Sequence, residues 1–117
     1  MEATIKEWFK TAALSQFNDN GGTAILYKGK QIAVFHFNDT DEWFASQNMC
    51  PHKMEMVLSR GLIGDKNGEP KIACPLHKNS FSLKTGQCLT TRELNIEVYP
   101  VKIIDGYVYV GIPDSLY

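Results

Sequence analysis

Between residues 23 and 110 the chain alternates short β-branched or aromatic runs with turn residues, and no segment carries a sustained helical period. The pattern predicts an all-β protein. Strands are expected over residues 23–27, 31–37, 42–47, 62–64, 70–73, 81–83, 96–104 and 107–111. Gly29-Lys30 suits a hairpin with glycine first, while Asn67-Gly68 and Asp105-Gly106 suit turns with positive φ at both central positions, so three hairpins are predicted. Asn18-Asp-Asn-Gly-Gly22 is a loop by composition, and residues 12–17 leave room for one helical turn at most. His36 falls on the same strand face as Ile32 and Val34 without a neighbouring cysteine, and reads as a hydrogen-bonded strand histidine. The run Tyr107-Val-Tyr-Val-Gly alternates as a half-buried strand does, which favours packing over a platform for stacked bases.

Length and charge narrow the class. A chain of 117 residues, 44% hydrophobic and 21% charged, fits one domain, residues 1–117, with a modest core. Twelve basic against thirteen acidic residues give a net charge of -1, without the basic excess that nucleic acid or an anionic membrane selects. The opening residues Met-Glu-Ala-Thr-Ile-Lys-Glu-Trp contain no basic segment followed by an apolar run, and no stretch reaches the length that spans a bilayer. A cytoplasmic protein without a nucleic-acid or membrane partner is expected. Cys50, Cys74 and Cys88 make an odd count, and two of them sit beside histidines, which suits metal ligation better than a disulfide framework.

The chemistry is concentrated in Cys50-Pro51-His52 and Cys74-Pro75-Leu76-His77. Each pair follows a predicted strand, so two loops, about residues 48–58 and 74–80, can present their tips together. A thiolate and an imidazole sent from one tight turn can reach two neighbouring metal atoms. A Rieske [2Fe–2S] centre needs this donor set, with two thiolates on one iron and two imidazoles on the other. Two ferric ions and two sulfides sum to +2, so two thiolates leave the oxidised centre neutral, where four would leave it doubly negative and harder to reduce. Cys50 and Cys74 are thus expected on the inner iron, and His52 and His77 on the outer iron, where electrons enter and leave. A tetrahedral zinc site uses the same ligand types. Zinc modules usually open with a Cys-x2-4-Cys knuckle and close with paired histidines, whereas here cysteine and histidine alternate.

Cys-x-His followed by Cys-x2-His, each with a proline after the cysteine, resembles the Rieske domain family over most of the chain. The resemblance implies stacked antiparallel sheets, with a base and a smaller cluster-binding part made of two loops. Respiratory members add a cysteine to each loop and join the two in a disulfide; the matching positions here are Glu55 and Leu76, so no such brace is expected. Respiratory members also place hydroxyls near the cluster, at positions that match Asn79 and Phe81 here. The resemblance therefore implies a potential toward the low end of the roughly −150 to +300 mV Rieske range.

The segment Val57-Leu-Ser-Arg-Gly-Leu-Ile-Gly, then His77-Lys-Asn-Ser-Phe-Ser-Leu-Lys-Thr-Gly-Gln-Cys, then Tyr99-Pro-Val-Lys, is similar to the small subunits of assimilatory NAD(P)H-dependent nitrite reductases. That resemblance implies an oxidoreductase subunit, not catalytic alone, whose large-subunit partner carries FAD, a [4Fe–4S] cluster and sirohaem and reduces nitrite to ammonia in nitrate assimilation. Some members of this subunit family lack the ligands, which keeps a docking role beside electron transfer. A free Rieske ferredoxin feeding an oxygenase, or another redox protein, is the alternative, and a zinc-stabilised binding module the third. Ser59-Arg60-Gly61 reads as a turn into the following strand, with large-subunit docking the sharper alternative. Lys53 and Lys78, each after a ligand histidine, suit an acidic partner surface or plain solvation. Cys88 reads as a buried cysteine and not a fifth ligand.

Overall fold

The computed structural model describes residues 5–51, 54–75, 79–90 and 94–113. Within them the chain forms β1 (Ile5–Ala13), β2 (Gly21–Tyr27), β3 (Lys30–Phe37), β4 (Glu42–Gln47), β5 (Met49–Cys50), β6 (Glu55–Met56), β7 (Leu62–Lys66), β8 (Glu69–Ala73), β9 (Ser80–Ser82), β10 (Val98–Tyr99), β11 (Val101–Ile104) and β12 (Tyr107–Pro113). Short 3-10 turns cover Leu14–Gln16 and Leu58–Arg60. The all-β expectation holds, the first 3-10 turn lies where residues 12–17 allowed it, and the second, Leu58–Arg60, was not predicted as helical.

Pairing is antiparallel throughout. The sheet β10-β4-β3-β2 is the middle layer; β1-β12-β11 lies on one side, and β5-β6 with β7-β8-β9 on the other. Strand β3 shows why both neighbours are needed. Its residues Ile32, Ala33, Val34 and Phe35 are all buried, so both of its faces are covered. Ala33 and Phe35 enter one core, with Cys50, Leu58, Ile72, Cys74, Phe81, Leu83, Cys88 and Ile96. Ile32 and Val34 enter the other, with Phe17, Tyr27, Ala45, Tyr99, Val108, Val110 and Ile112.

The three predicted hairpins form, one of them with its turn shifted by a residue. Asn67-Gly68 and Asp105-Gly106 have positive φ at both positions (+53° and +86°, +50° and +79°) and join β7 to β8 and β11 to β12. The β2–β3 turn is Lys28-Gly29, one residue earlier than Gly29-Lys30, with φ of +47° and +83° and Tyr27 paired to Lys30. Glycine takes the second left-handed position, because Lys30 is needed to close the ladder.

Two further differences have physical causes. The run 96–104 divides into β10 and β11 at Pro100, which has no N–H to give a ladder. Its carbonyl instead accepts from Gly111 N–H at 2.8 Å, and a Cβ at Gly111 would stand 2.7 Å from the proline ring. Strand β1 was not predicted. It is an edge strand on β12 whose register shifts between Ile5 and Glu7 and between Lys10 and Ala13, which erases the two-residue period. Tyr27 ties it to the middle sheet: its hydroxyl donates to Glu7 Oε1 at 2.6 Å, and its ring meets Phe9 edge-on. The hydrogen bond to the Glu7 carboxylate raises the Tyr27 pKa above 10.0, with burial and the negative charge adding to it.

The side chains kept out of the site behave as ordinary fold residues. His36 Nε2 lies 3.0 Å from Asp41 Oδ1, and its ring stacks on Trp43 at 3.9 Å. Along β12, Val108 and Val110 are buried while Tyr107 is exposed, as half-burial requires. No helix among the described residues is long and apolar enough to cross a membrane.

Candidate metal centre

Cys50 ends β5, and its partner across the small β5–β6 ladder is Glu55. The neck of this loop is closed by Met54 N–H donating to the Cys50 carbonyl at 2.7 Å, with Met54 in the left-handed region at φ +57°. Cys74 stands one residue past β8, and its N–H donates to the Asn79 carbonyl at 2.8 Å, closing the second neck. Both proposed cysteine ligands thus sit where a strand ends and a backbone hydrogen bond pinches the chain into a loop.

Polar groups hold the roots of these loops, with buried side chains at the first and the exposed Thr90 at the second. Gln47 Nε2 donates to the Met49 carbonyl at 2.7 Å, and its Oε1 accepts from Glu97 N–H at 2.8 Å. Asn48 accepts from Leu58 N–H through its carbonyl at 3.0 Å and from Ser59 N–H through Oδ1 at 2.7 Å. On the second loop, Thr90 Oγ1 donates to Asn79 Oδ1 at 2.9 Å, and Leu89 N–H donates to the Ser80 carbonyl at 2.7 Å. Sequence reasoning missed Gln47, Asn48 and Thr90. The signal available was a pair of amides, Gln47-Asn48, ending a strand just before a Cys-Pro-His turn.

Cys50 and Cys74 are 0% and 1% exposed and belong to one apolar core, and none of the three cysteines is in a disulfide. Two buried cysteines at two loop necks in one core offer two sulfur donors from neighbouring loops, which fits the thiolate half of a cluster's donor set. Cys88 shares the core. Its Sγ lies 3.4 Å from Thr90 Oγ1, and its N–H donates to Asn95 Oδ1 at 3.2 Å, as expected of a cysteine packed as part of the fold. His52, Lys53, Leu76, His77 and Lys78 lie outside the described residues, and among the described residues no three His, Cys, Asp or Glu side chains come together.

A model of the Rieske-like [2Fe–2S] domain matches residues 7–111. The chain belongs to that family. The Rieske-like chain is 32% identical over 104 residues to the nitrite reductase (NADH) small subunit of Salmonella typhimurium, covering 89% of this chain and 96% of that one. It is 35% identical over 113 residues to the anthranilate 1,2-dioxygenase ferredoxin subunit of Burkholderia cepacia, covering 95% and 97%. The nitrite reductase [NAD(P)H] of Emericella nidulans is 41% identical over 88 residues, and this chain spans only 8% of its length. Among solved structures, the Escherichia coli protein NirD superposes with a TM-score of 0.78 at 31% identity, over 89% of this chain and 94% of that one. The stacked antiparallel sheets are thus a Rieske-like fold, as the resemblance implied.

Ser59-Arg60-Gly61 is part of the fold: Leu58–Arg60 is a 3-10 turn, and Gly61 N–H donates to the Leu58 carbonyl at 3.0 Å before β7 begins.

Proposed function

We propose that this protein holds a Rieske [2Fe–2S] cluster through Cys50, His52, Cys74 and His77, and serves as the electron-transfer or docking small subunit of a cytoplasmic NAD(P)H-dependent nitrite reductase in nitrate assimilation. The observation that carries this reading is the end-to-end match with a nitrite reductase small subunit, 89% of this chain against 96% of that one, in a chain that keeps both Cys/His pairs. When bound, such a cluster supplies one-electron exchange. The chain's own residues do the rest. Cys50 and Cys74 contribute two negative charges from inside the apolar core, where water is excluded, and the loop necks at Met54 and Asn79 fix the backbone from which the donors project. His52 and His77, one in each loop, are the donors to the second iron.

Two exposed apolar side chains flank this site. Met54, 67% exposed, closes the first loop, and Leu62, 79% exposed, pairs across the ladder with Ala73, the residue before Cys74. Apolar groups left in water beside the loops suit a surface that a protein partner covers. In this reading the partner is the large subunit, which carries FAD, a [4Fe–4S] cluster and sirohaem and performs the nitrite chemistry; the small subunit is not catalytic alone.

The second reading, a ferredoxin that feeds an oxygenase, is favoured by the 35% identity to a dioxygenase ferredoxin subunit over almost the whole of both chains. Anaerobic purification with iron and acid-labile sulfide analysis, followed by electron paramagnetic resonance of the reduced protein, tests the cluster that both readings need. Two irons, two sulfides and a mixed-ligand spectrum are expected. Stoichiometric zinc without that spectrum would overturn both. Co-purification with a sirohaem-containing large subunit then separates them, since a ferredoxin has no such stable partner.

A further inference from the structure

We infer that the segment Leu58–Gly61 is an internal brace that sets the position of the Cys74 loop relative to the Cys50 loop, with Asn48 and Gly61 as its positioning residues. The inference rests on Cys50 and Cys74 being cluster ligands. None of the three cysteines is in a disulfide, so no disulfide joins the two loops. The brace spans that gap and is held at both ends.

At the first end stands Asn48, 1% exposed and two residues before Cys50. It accepts both leading N–H groups of the segment, from Leu58 through its backbone carbonyl at 3.0 Å and from Ser59 through its side-chain Oδ1 at 2.7 Å, the bond that Asn48→Ala removes. Its Nδ2 donates to Gln31 Oε1 on β3 at 2.8 Å, which ties the same amide to the middle sheet. In the middle, Leu58 is fully buried in the cysteine-bearing core. A Cβ on Gly22 of β2 would lie 2.5 Å from the Ser59 carbonyl, so the segment lies directly against the β2 backbone.

At the second end stands Gly61. A Cβ there would lie 2.1 Å from the Ala73 carbonyl oxygen, closer than any side chain can approach. Gly61 has φ −78° and ψ −179°, an extended backbone open to every residue. Its lack of a side chain therefore answers to the contact with Ala73 and not to conformation. Ala73 immediately precedes Cys74. The path from Cys50 through Asn48, Ser59 and Gly61 to Ala73 and Cys74 thus runs through hydrogen bonds and one backbone contact, and a close-packed interior passes a shift at either end to a thiol.

Gly61→Ala, Asn48→Ala and Ser59→Ala are compared in the full chain with Val110→Ala, whose side chain lies in the other core. Four quantities are read: the electron paramagnetic resonance g values of the reduced cluster, its midpoint potential, the rate of iron loss to a chelator, and thermal stability. Gly61→Ala and Asn48→Ala should shift the g values and the potential and lose iron roughly tenfold faster, the low end of what supporting residues around metal ligands contribute. Ser59→Ala keeps the N–H that Asn48 binds and should match the wild type. Val110→Ala should lose stability while keeping wild-type g values and potential. If Gly61→Ala does not fold, Asn48→Ala decides. Unaltered spectra and iron loss in a loaded Asn48→Ala, or equal alteration by Val110→Ala, would overturn the brace while leaving the cluster standing. A wild-type chain that takes up no iron and sulfide overturns the ligand assignment, and the brace with it.

Discussion

The two cores on either face of β3 are built differently. The core of Phe17, Tyr27, Ile32, Val34, Ala45, Tyr99, Val108, Val110 and Ile112 contains no sulfur and is enclosed by strands paired in long ladders, β2 with β3 and β1 with β12. The core that holds Cys50, Cys74 and Cys88 is covered instead by the short sheet β7-β8-β9, the two-residue strands β5 and β6, a 3-10 turn and loops. Backbone groups there cannot all be satisfied by a ladder, and buried side chains take over. The buried polar residues Ser46, Gln47, Asn48, Ser80 and Ser82 all stand within a few positions of one cysteine loop or the other. A sheet sandwich is stabilised by repetition, whereas a loop-built site needs a specific partner for each exposed N–H and C=O. Placing the proposed donors on loops requires this set of dedicated amides and hydroxyls.

The largest effect is expected at a proposed ligand. Cys74→Ala should abolish the reduced-state resonance signal and the bound iron and sulfide while the far-ultraviolet circular dichroism of the strands persists. An undiminished signal would remove Cys74 from the ligand set.

Truncation in the two cores comes next. Phe35→Ala and Ile112→Ala each remove a side chain that is 0% or 1% exposed, and should cost about 3–5 and about 2–5 kcal/mol respectively in denaturant unfolding. Despite similar stability losses, only Phe35→Ala should speed iron loss from the loaded protein, because only Phe35 packs in the cysteine-bearing core. Equal iron retention by the two would mean that the cores are not separate.

Cys88 shares that core without serving as a donor in the proposed set. Cys88→Ala should lower stability by about 1 kcal/mol and leave the resonance spectrum unchanged. A lost or altered spectrum would make Cys88 part of the centre.

The smallest effect belongs to Tyr27, in the sulfur-free core. Its pKa is raised by the hydrogen bond to Glu7, so the folded protein favours the neutral phenol. A raised folded-state pKa gives stability that is complete below 10.0 and lost as pH rises through the folded value. The stability difference between wild type and Tyr27→Phe should therefore shrink when unfolding is measured at about pH 11 instead of about pH 7. A difference that grows with pH would reverse the sign.

Most strands were legible because alternating Val, Ile and aromatic residues between Asn-Gly and Asp-Gly turns can be satisfied only by pleated pairs. β4 matches its predicted bounds, residues 42–47, and β2, β3, β7, β8 and β9 differ by one or two residues at either end. β1 was hidden because its bulges break the period, and the 96–104 run was overextended because Pro100 sits inside an otherwise apolar stretch. The Cys/His pairs stood out from spacing alone, since donor chemistry depends on residue type and local order.

Local sequence was enough for the all-β class, two of the three hairpin turns and the standing out of the two Cys/His pairs, because each depends on neighbours within a few positions. Only the tertiary structure decided that Cys50 and Cys74 share one core, that Asn48 holds Ser59, and that Gly61 is a glycine for the sake of the Ala73 carbonyl. Those are contacts between residues about ten or more positions apart, and they exist only once chain folding has placed one backbone against another.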